Sequence, residues 1–177
     1  ILGLLVWLAM DLNDDRVQVC AGGLPANAAT LALLILVIAY AQVALGAFVA
    51  GLKAGLAYNT WPLMNGQVIP DDLLAMSPLL VNFVENATTV QFNHRLVAYL
   101  LCLVIPAYWF VARRHRLEAR TRSLFHLLLA MLAVQVTLGI ATLIYVVPVS
   151  LAAAHQAGAL VLLTFALIAV AVVLLAL

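Results

Sequence analysis

Four stretches of this sequence, residues 28–51, 90–112, 123–146 and 150–177, stay apolar for longer than a water-soluble fold can accommodate. At about 1.5 Å per helical residue each is roughly 33 Å or more, enough to cross the hydrocarbon core of a bilayer. In lipid the backbone must satisfy its own N–H and C=O groups, which leaves helices and closed barrels. The runs are rich in Leu and Ala and lack the alternation of barrel strands. The sequence therefore predicts an all-α membrane protein built on a bundle of four transmembrane helices. Composition agrees: with 67% hydrophobic and 8% charged residues, a chain this short has too little polar surface to face water.

Five of the eight basic residues, Arg113, Arg114, Arg116, Arg120 and Arg122, fall in one short connection. Short loops rich in Lys and Arg stay on the cytoplasmic side, so this connection is expected inside. A nucleic-acid patch is the weaker reading, because no aromatic residues interleave the arginines. The connections at 52–89 and 147–149 then lie outside. Residues 1–10 are apolar but too short to cross, and read as the tail of a preceding transmembrane helix, with 11–27 as an inner connection. On that reading the chain is an excerpt of a larger protein. Cys20 and Cys102 provide neither a disulfide framework nor a thiolate metal site.

The outer loop, 52–89, is long for a bundle connection and contains Trp61, Pro62, Pro70 and Pro78. Residues 71–84 are able to form a short amphipathic helix along the interface. Such a loop either covers a cofactor or is a plain surface hairpin. Asn86-Ala87-Thr88 matches the glycosylation acceptor pattern, a pattern common by chance.

The sequence also repeats: Gln42-Val43-Ala44-Leu45-Gly46 in the first span matches Gln135-Val136-Thr137-Leu138-Gly139 in the third. Each is followed by a span that carries a histidine near its outer end, His94 in the second and His155 in the fourth. Two helical hairpins of like orientation follow, as in parallel repeats about an axis along the membrane normal.

Ionisable groups inside a membrane are costly and generally face a bundle interior, so two histidines at one depth suggest a shared ligand. Imidazole binds iron, copper or zinc, but a closed zinc site takes four protein ligands, and no Cys, Asp or Glu stands near these histidines in sequence. Haem needs only two axial ligands, and facing helices of a bundle can supply them. Gly46, Gly139 and Gly158 would make room for a macrocycle, or equally for close helix packing. Arg95 is placed to pair with a haem propionate, or to snorkel to the headgroups. Lys53 is placed to do the same or, more simply, to reach the headgroups. His115 and His126 belong to the inner side and are expected to be solvated or interfacial.

Three segments together resemble the haem A synthase family. Gly51-Leu52-Lys53-Ala54-Gly55-Leu56-Ala57-Tyr58-Asn59-Thr60-Trp61-Pro62-Leu63-Met64 is similar to its signature outer loop. Val90-Gln91-Phe92-Asn93-His94-Arg95 and Ala152-Ala153-Ala154-His155-Gln156-Ala157-Gly158 resemble the two histidine motifs of its C-terminal half. With Glu85-Asn86 and the repeats, the likeness runs from about residue 41 to residue 167.

The resemblance implies an eight-helix protein of two similar four-helix halves that oxidises a ring methyl group of haem O to a formyl group, making haem A for respiratory oxidases. This chain would be the second half, holding a haem b cofactor between His94 and His155 as axial iron ligands, with Arg95 at a propionate. The family's first half has a glutamate three residues before its first histidine; the corresponding residue here is Gln91. An amide neither takes up protons nor stabilises cations as a carboxylate does, which favours a cofactor site over a substrate site. The catalytic residues for methyl oxidation are then expected outside this chain, and this half alone is expected to be inactive. Partners consistent with the resemblance are haem O, membrane lipid, an unidentified electron donor, haem O synthase, oxidase assembly factors and a second copy of the protein. A bacterial plasma membrane is favoured over a mitochondrial inner membrane. The rival readings are a b-type membrane cytochrome that only transfers electrons, and a metal-free bundle or transporter half.

Overall fold

The computed structural model describes residues 27–115, 117 and 119–175; the expected helix tail at 1–10 and nearly all of the inner connection at 11–27 lie outside them. Four long helices dominate: α1 (Ala28–Gly51), α2 (Ala87–Ala112), α3 (Ala119–Ile144) and α4 (Val149–Leu175). All four are long and apolar enough to cross a membrane, and the chain is a multi-pass membrane protein. Among the described residues the other regular pieces are two short 3-10 turns, Ala54–Leu56 and Leu79–Phe83, and one bridge pairing Met64 with Gln67. The fold is all-α.

The helices run up and down in sequence, and each packs on two neighbours: α1 on α2 and α4, α3 on α2 and α4. The helices that carry the histidines, α2 and α4, therefore stand diagonally across the bundle. Packing is uneven along its axis. The apolar core gathers at the inner end, where Ala28, Ala32 and Ile35 of α1 meet Leu101, Ile105 and Tyr108 of α2, Phe125, Leu128 and Leu132 of α3, and Leu162, Ala166 and Val173 of α4. Tyr108 meets Phe125 edge to face at 5.1 Å and donates its hydroxyl hydrogen to the Ala28 carbonyl. At the same end Arg113 and Arg114 lie over the rings of Trp109 and Phe110, as basic and aromatic side chains do at a headgroup boundary. The exposed His126 accepts from the Trp109 indole at 3.0 Å, consistent with an interfacial place.

Helix boundaries differ from the hydropathy reading where polar groups take over. α2 begins at Ala87 rather than 90 because Asn86 caps it, its Oδ1 accepting from the backbone N–H of Thr88 and Thr89. Asn86 is thereby buried and its amide nitrogen donates to Asp72 O and Asn82 Oδ1, a setting with no room for a glycan. α3 begins at Ala119 rather than 123 and stops at Ile144, where Val146 and Val147 turn the chain with φ of 60° and 58°. Two β-branched residues in the left-handed region are strained. The turn is held by the Val147 N–H on Thr142 O and by Asn59 of the outer loop on Leu143 O.

The amphipathic helix expected over 71–84 is absent; only Leu79–Phe83 closes into a 3-10 turn. Pro78 drives the residue before it out of the helical region, and Asn82 organises the segment in another way. Its side chain is fully buried, accepting from Met76 N and Asn86 Nδ2 and donating to Met76 O and Leu79 O. Meanwhile Leu80 is 77% exposed, so the turn is polar within and apolar without, the reverse of a loop folded for water. Asn82→Ala leaves these partners unmet at roughly 1–3 kcal/mol. The expected outcome is a rise of on the order of tenfold or more in cleavage within residues 73–84 by protease added to the outer face, since cleavage follows the opened population.

Candidate functional site

The outer half of the bundle is built differently from the core. Gln91, His94 and Arg95 of α2 sit at i, i+3 and i+4, one helical face, and His155 lies six residues into α4. From diagonal helices the two imidazoles meet inside the bundle, ring centroids 6.5 Å apart and planes at 84°. His94 and His155 are thus brought together as their matched depth in sequence predicts.

Their surroundings come from the repeat. Gln42 and Gly46 of α1, one turn apart, both touch His94. The Gln42 Nε2 lies 3.2 Å from its Nε2, and a Cβ added to Gly46 would stand 3.3 Å from its Cε1. Gln135 and Gly139 of α3 do likewise at His155: Gln135 donates to the His155 carbonyl at 2.8 Å, and a Cβ on Gly139 would press on His155 Cε1 at 2.9 Å. These glycines make room for imidazoles rather than for a neighbouring helix backbone. Gly158 makes room for the Gln135 amide. Hydropathy reading finds the glycines and misses the glutamines, although the repeated Gln-Val-x-Leu-Gly was the signal that contained them.

Above the histidines the loop is tied down at three points. The carbonyl of Tyr58 accepts from Gln91 Nε2 and from the Arg95 guanidinium, which also donates to Thr60 O. Asn59 donates to Gly55 O and crosses to Leu143 O at the end of α3. The segment at 55–60 thereby roofs the site from α1 to the turn between α3 and α4, where Gly55 faces Val147. The exposed Lys53 takes the left-handed conformation after α1, its side chain outside this arrangement. Replacing Arg95 by Lys trades a two-pronged donor for a point charge. The expected outcome is faster proteolysis or amide exchange confined to residues 55–63, with the helices unchanged.

Buried polar atoms in proteins are almost always hydrogen-bonded, so clustered exceptions ask for a partner. Among the described residues the buried side-chain N and O atoms without one are Gln42 Oε1, Gln91 Oε1, His94 Nδ1, Arg95 Nε, Gln135 Oε1 and His155 Nδ1. All six belong to the residues around the two imidazoles. Among the described residues no group of three or more His, Cys, Asp or Glu gathers, so the donor set is a pair of imidazoles. With metal–nitrogen bonds of about 2 Å and each nitrogen about 1 Å from its ring centre, two imidazoles across one metal have centres about 6 Å apart. The observed 6.5 Å is close to that separation, so the two imidazoles have the spacing to hold one iron between them.

Comparison with known proteins agrees with this arrangement. The chain matches the COX15-CtaA family, described as cytochrome oxidase assembly protein, over residues 1–167. It is similar to the heme A synthase of Nitrosospira multiformis, 48% identical over 169 residues that cover 92% of this chain and 46% of that protein. The heme A synthase of Parvibaculum lavamentivorans is 49% identical over 162 residues, 91% of this chain and 44% of that one. Heme A synthase COX15 of Mus musculus is 51% identical over 122 residues, 69% of this chain and 30% of the mouse protein. The chain spans about half the length of the bacterial relatives. No solved structure matches it. The matched residues take in the roofing loop, both repeats and both histidines, and the chain belongs to the COX15-CtaA family of cytochrome oxidase assembly proteins.

Proposed function

We propose that this chain is the haem b-binding half of a haem A synthase, the membrane oxidoreductase that converts a methyl group of haem O to a formyl group. The observation that carries the reading is the pair of imidazoles at 6.5 Å inside a layer of unpaired buried polar atoms. His94 and His155 would be the axial ligands. Bound between them, a haem b supplies a one-electron redox centre whose filled axial positions suit electron transfer rather than oxygen binding.

The chain's own residues then have separable tasks. Gly46 and Gly139 leave room for the two imidazoles, and the 55–60 segment is tied across the end of the bundle by Asn59 and Arg95. Arg95 would meet a propionate through Nε, the donor that Tyr58 and Thr60 leave unused. Gln91 neither gives up nor takes a proton at neutral pH, so this bundle has no evident base for methyl oxidation at that position. The chemistry on haem O is assigned to the other half of the full-length protein. The relatives named heme A synthase support the synthase reading, and those matching nine-tenths of this chain come from bacteria, which favours a bacterial inner membrane. An electron donor and haem O are the partners this scheme requires; haem O synthase, oxidase assembly factors and self-association are compatible with it.

Two measurements test the reading. The purified protein in detergent is expected to show the bands of a low-spin b-type haem after dithionite reduction, and their absence would remove the cofactor. Membranes containing the full-length protein, given haem O and a working electron donor, are expected to yield haem A on extraction. Haem bands with no haem A would instead mark an electron-carrying cytochrome.

A further inference from the structure

Arg95 is the one Lys, Arg, Asp or Glu in α2, and no Asp or Glu occurs in any of the four helices. Its guanidinium nevertheless lies beside the imidazole layer. Nη2 donates to Tyr58 O and Nη1 to Thr60 O, each at 3.0 Å, while Nε is buried without a partner. Both acceptors are uncharged carbonyls, and among the described residues no carboxylate pairs with the guanidinium. A charge drawn away from water without a counter-ion is costly, so the arrangement asks for an anion from outside the chain. Gln91, one helical turn before Arg95 and 2% exposed, donates its Nε2 to the same Tyr58 carbonyl at 3.1 Å. One loop oxygen is thus held by two side chains, one charged and one neutral.

We propose that Gln91 is a specificity-determining residue: by tying the loop with an uncharged amide it leaves the Arg95 charge unspent and reserves it for an acidic group on the ligand. The proposal rests on the haem reading above, in which that group is a porphyrin propionate, and deepens it. A carboxylate at position 91 would do the opposite. It has no N–H to give, so an acceptor would face the Tyr58 oxygen where a donor now stands. Arg95, at i+4 on the same helix face, is the counter-ion within reach. Pairing with it would draw the guanidinium from Tyr58 and Thr60 and cancel the charge that a propionate needs. An amide is the side chain of that size that ties the loop and stays neutral.

The test is the choice that full-length protein, prepared without haem, makes between haemin and haemin dimethyl ester, in which both carboxylates are blocked. Binding at this site is read as the low-spin spectrum that the same titration of His155→Ala protein lacks. The unmutated protein is expected to bind haemin more tightly than the ester by roughly tenfold or more, the worth of a hydrogen bond to a charged group. Gln91→Glu is expected to bring that ratio close to one, and Gln91→Leu, which removes the amide without adding charge, to keep it. An unchanged ratio in Gln91→Glu, or a ratio lost equally in Gln91→Leu, overturns the proposal. If Gln91→Glu binds neither porphyrin, the haem-free proteins decide. Amide exchange over residues 55–63 is then expected to be faster in Gln91→Glu, which draws Arg95 off the loop as well, than in Gln91→Leu, which loses a single tether; equal rates overturn the proposal. Failure of the haem reading looks different: the unmutated protein then binds neither compound in low-spin form.

Discussion

His155→Ala and His94→Ala are each expected to abolish the low-spin haem spectrum proposed for this protein. On the proposed reading each imidazole would be one of two protein donors to the haem iron. Among the described residues no third His, Cys, Asp or Glu joins them. Losing an outer-shell partner of a metal ligand already costs 10- to 100-fold in affinity, so losing the ligand itself is expected to cost on the order of 100-fold or more. The measurement is haem per protein by the pyridine haemochrome assay, with the reduced spectrum recorded alongside. His126→Ala serves as control, because that ring is exposed at the inner end and bonded to Trp109; its spectrum stays that of the parent. His155→Met gives an intermediate result, a retained haem with a raised potential, because a thioether favours the ferrous state. Full low-spin spectra in both alanine variants would falsify the ligand assignment.

Gly139→Ala is expected to lower haem content sharply while leaving the helix more stable. Alanine in a helix interior is favoured over glycine by about 1 kcal/mol, so secondary structure gains. The added methyl, however, lands 2.9 Å from His155 Cε1, closer than carbon atoms approach, and the imidazole must move to admit it. An imidazole pushed off its position would hold the proposed iron less well. Gly46→Ala at 3.3 Å from His94 is milder, and Gly158→Ala milder again, because it meets the movable end of Gln135 and not an imidazole. The three variants therefore rank 139, 46, 158 in haem loss. Haem content and thermal stability measured on the same preparations should move in opposite directions for Gly139→Ala. A protein with full haem at that position would mean the glycine serves helix packing instead.

Much of this was legible in the sequence because lipid simplifies the problem. A solvent that cannot hydrogen-bond leaves helices as the answer to any long apolar run, and α1 falls on the stretch that hydropathy marks, Ala28–Gly51. Matched depth is likewise a one-dimensional property: two histidines near the outer ends of two helices entering from one side must share a level. The repeat and the charge pattern were readable for the same reason.

What hydropathy could not supply is how polar groups find one another. Asn82 and Asn86 look like ordinary loop residues, yet Asn86 caps α2 and Asn82 holds the outer loop, which has turns in place of the expected amphipathic helix. Arg95 was read for its charge, while the structure shows its guanidinium spanning two loop carbonyls. Hydrogen bonds are short and directional, so their partners are fixed by where four helices stop and how they face.

By itself the sequence determined the solvent, the four helices and the level of the two histidines, all of which follow from transfer energies along the chain. Only the tertiary structure decided that α2 and α4 stand diagonally, bringing the rings to 6.5 Å. It also decided that one repeated glutamine touches a ring and the other a backbone. These depend on packing between segments distant in sequence, which local patterns along the chain do not record.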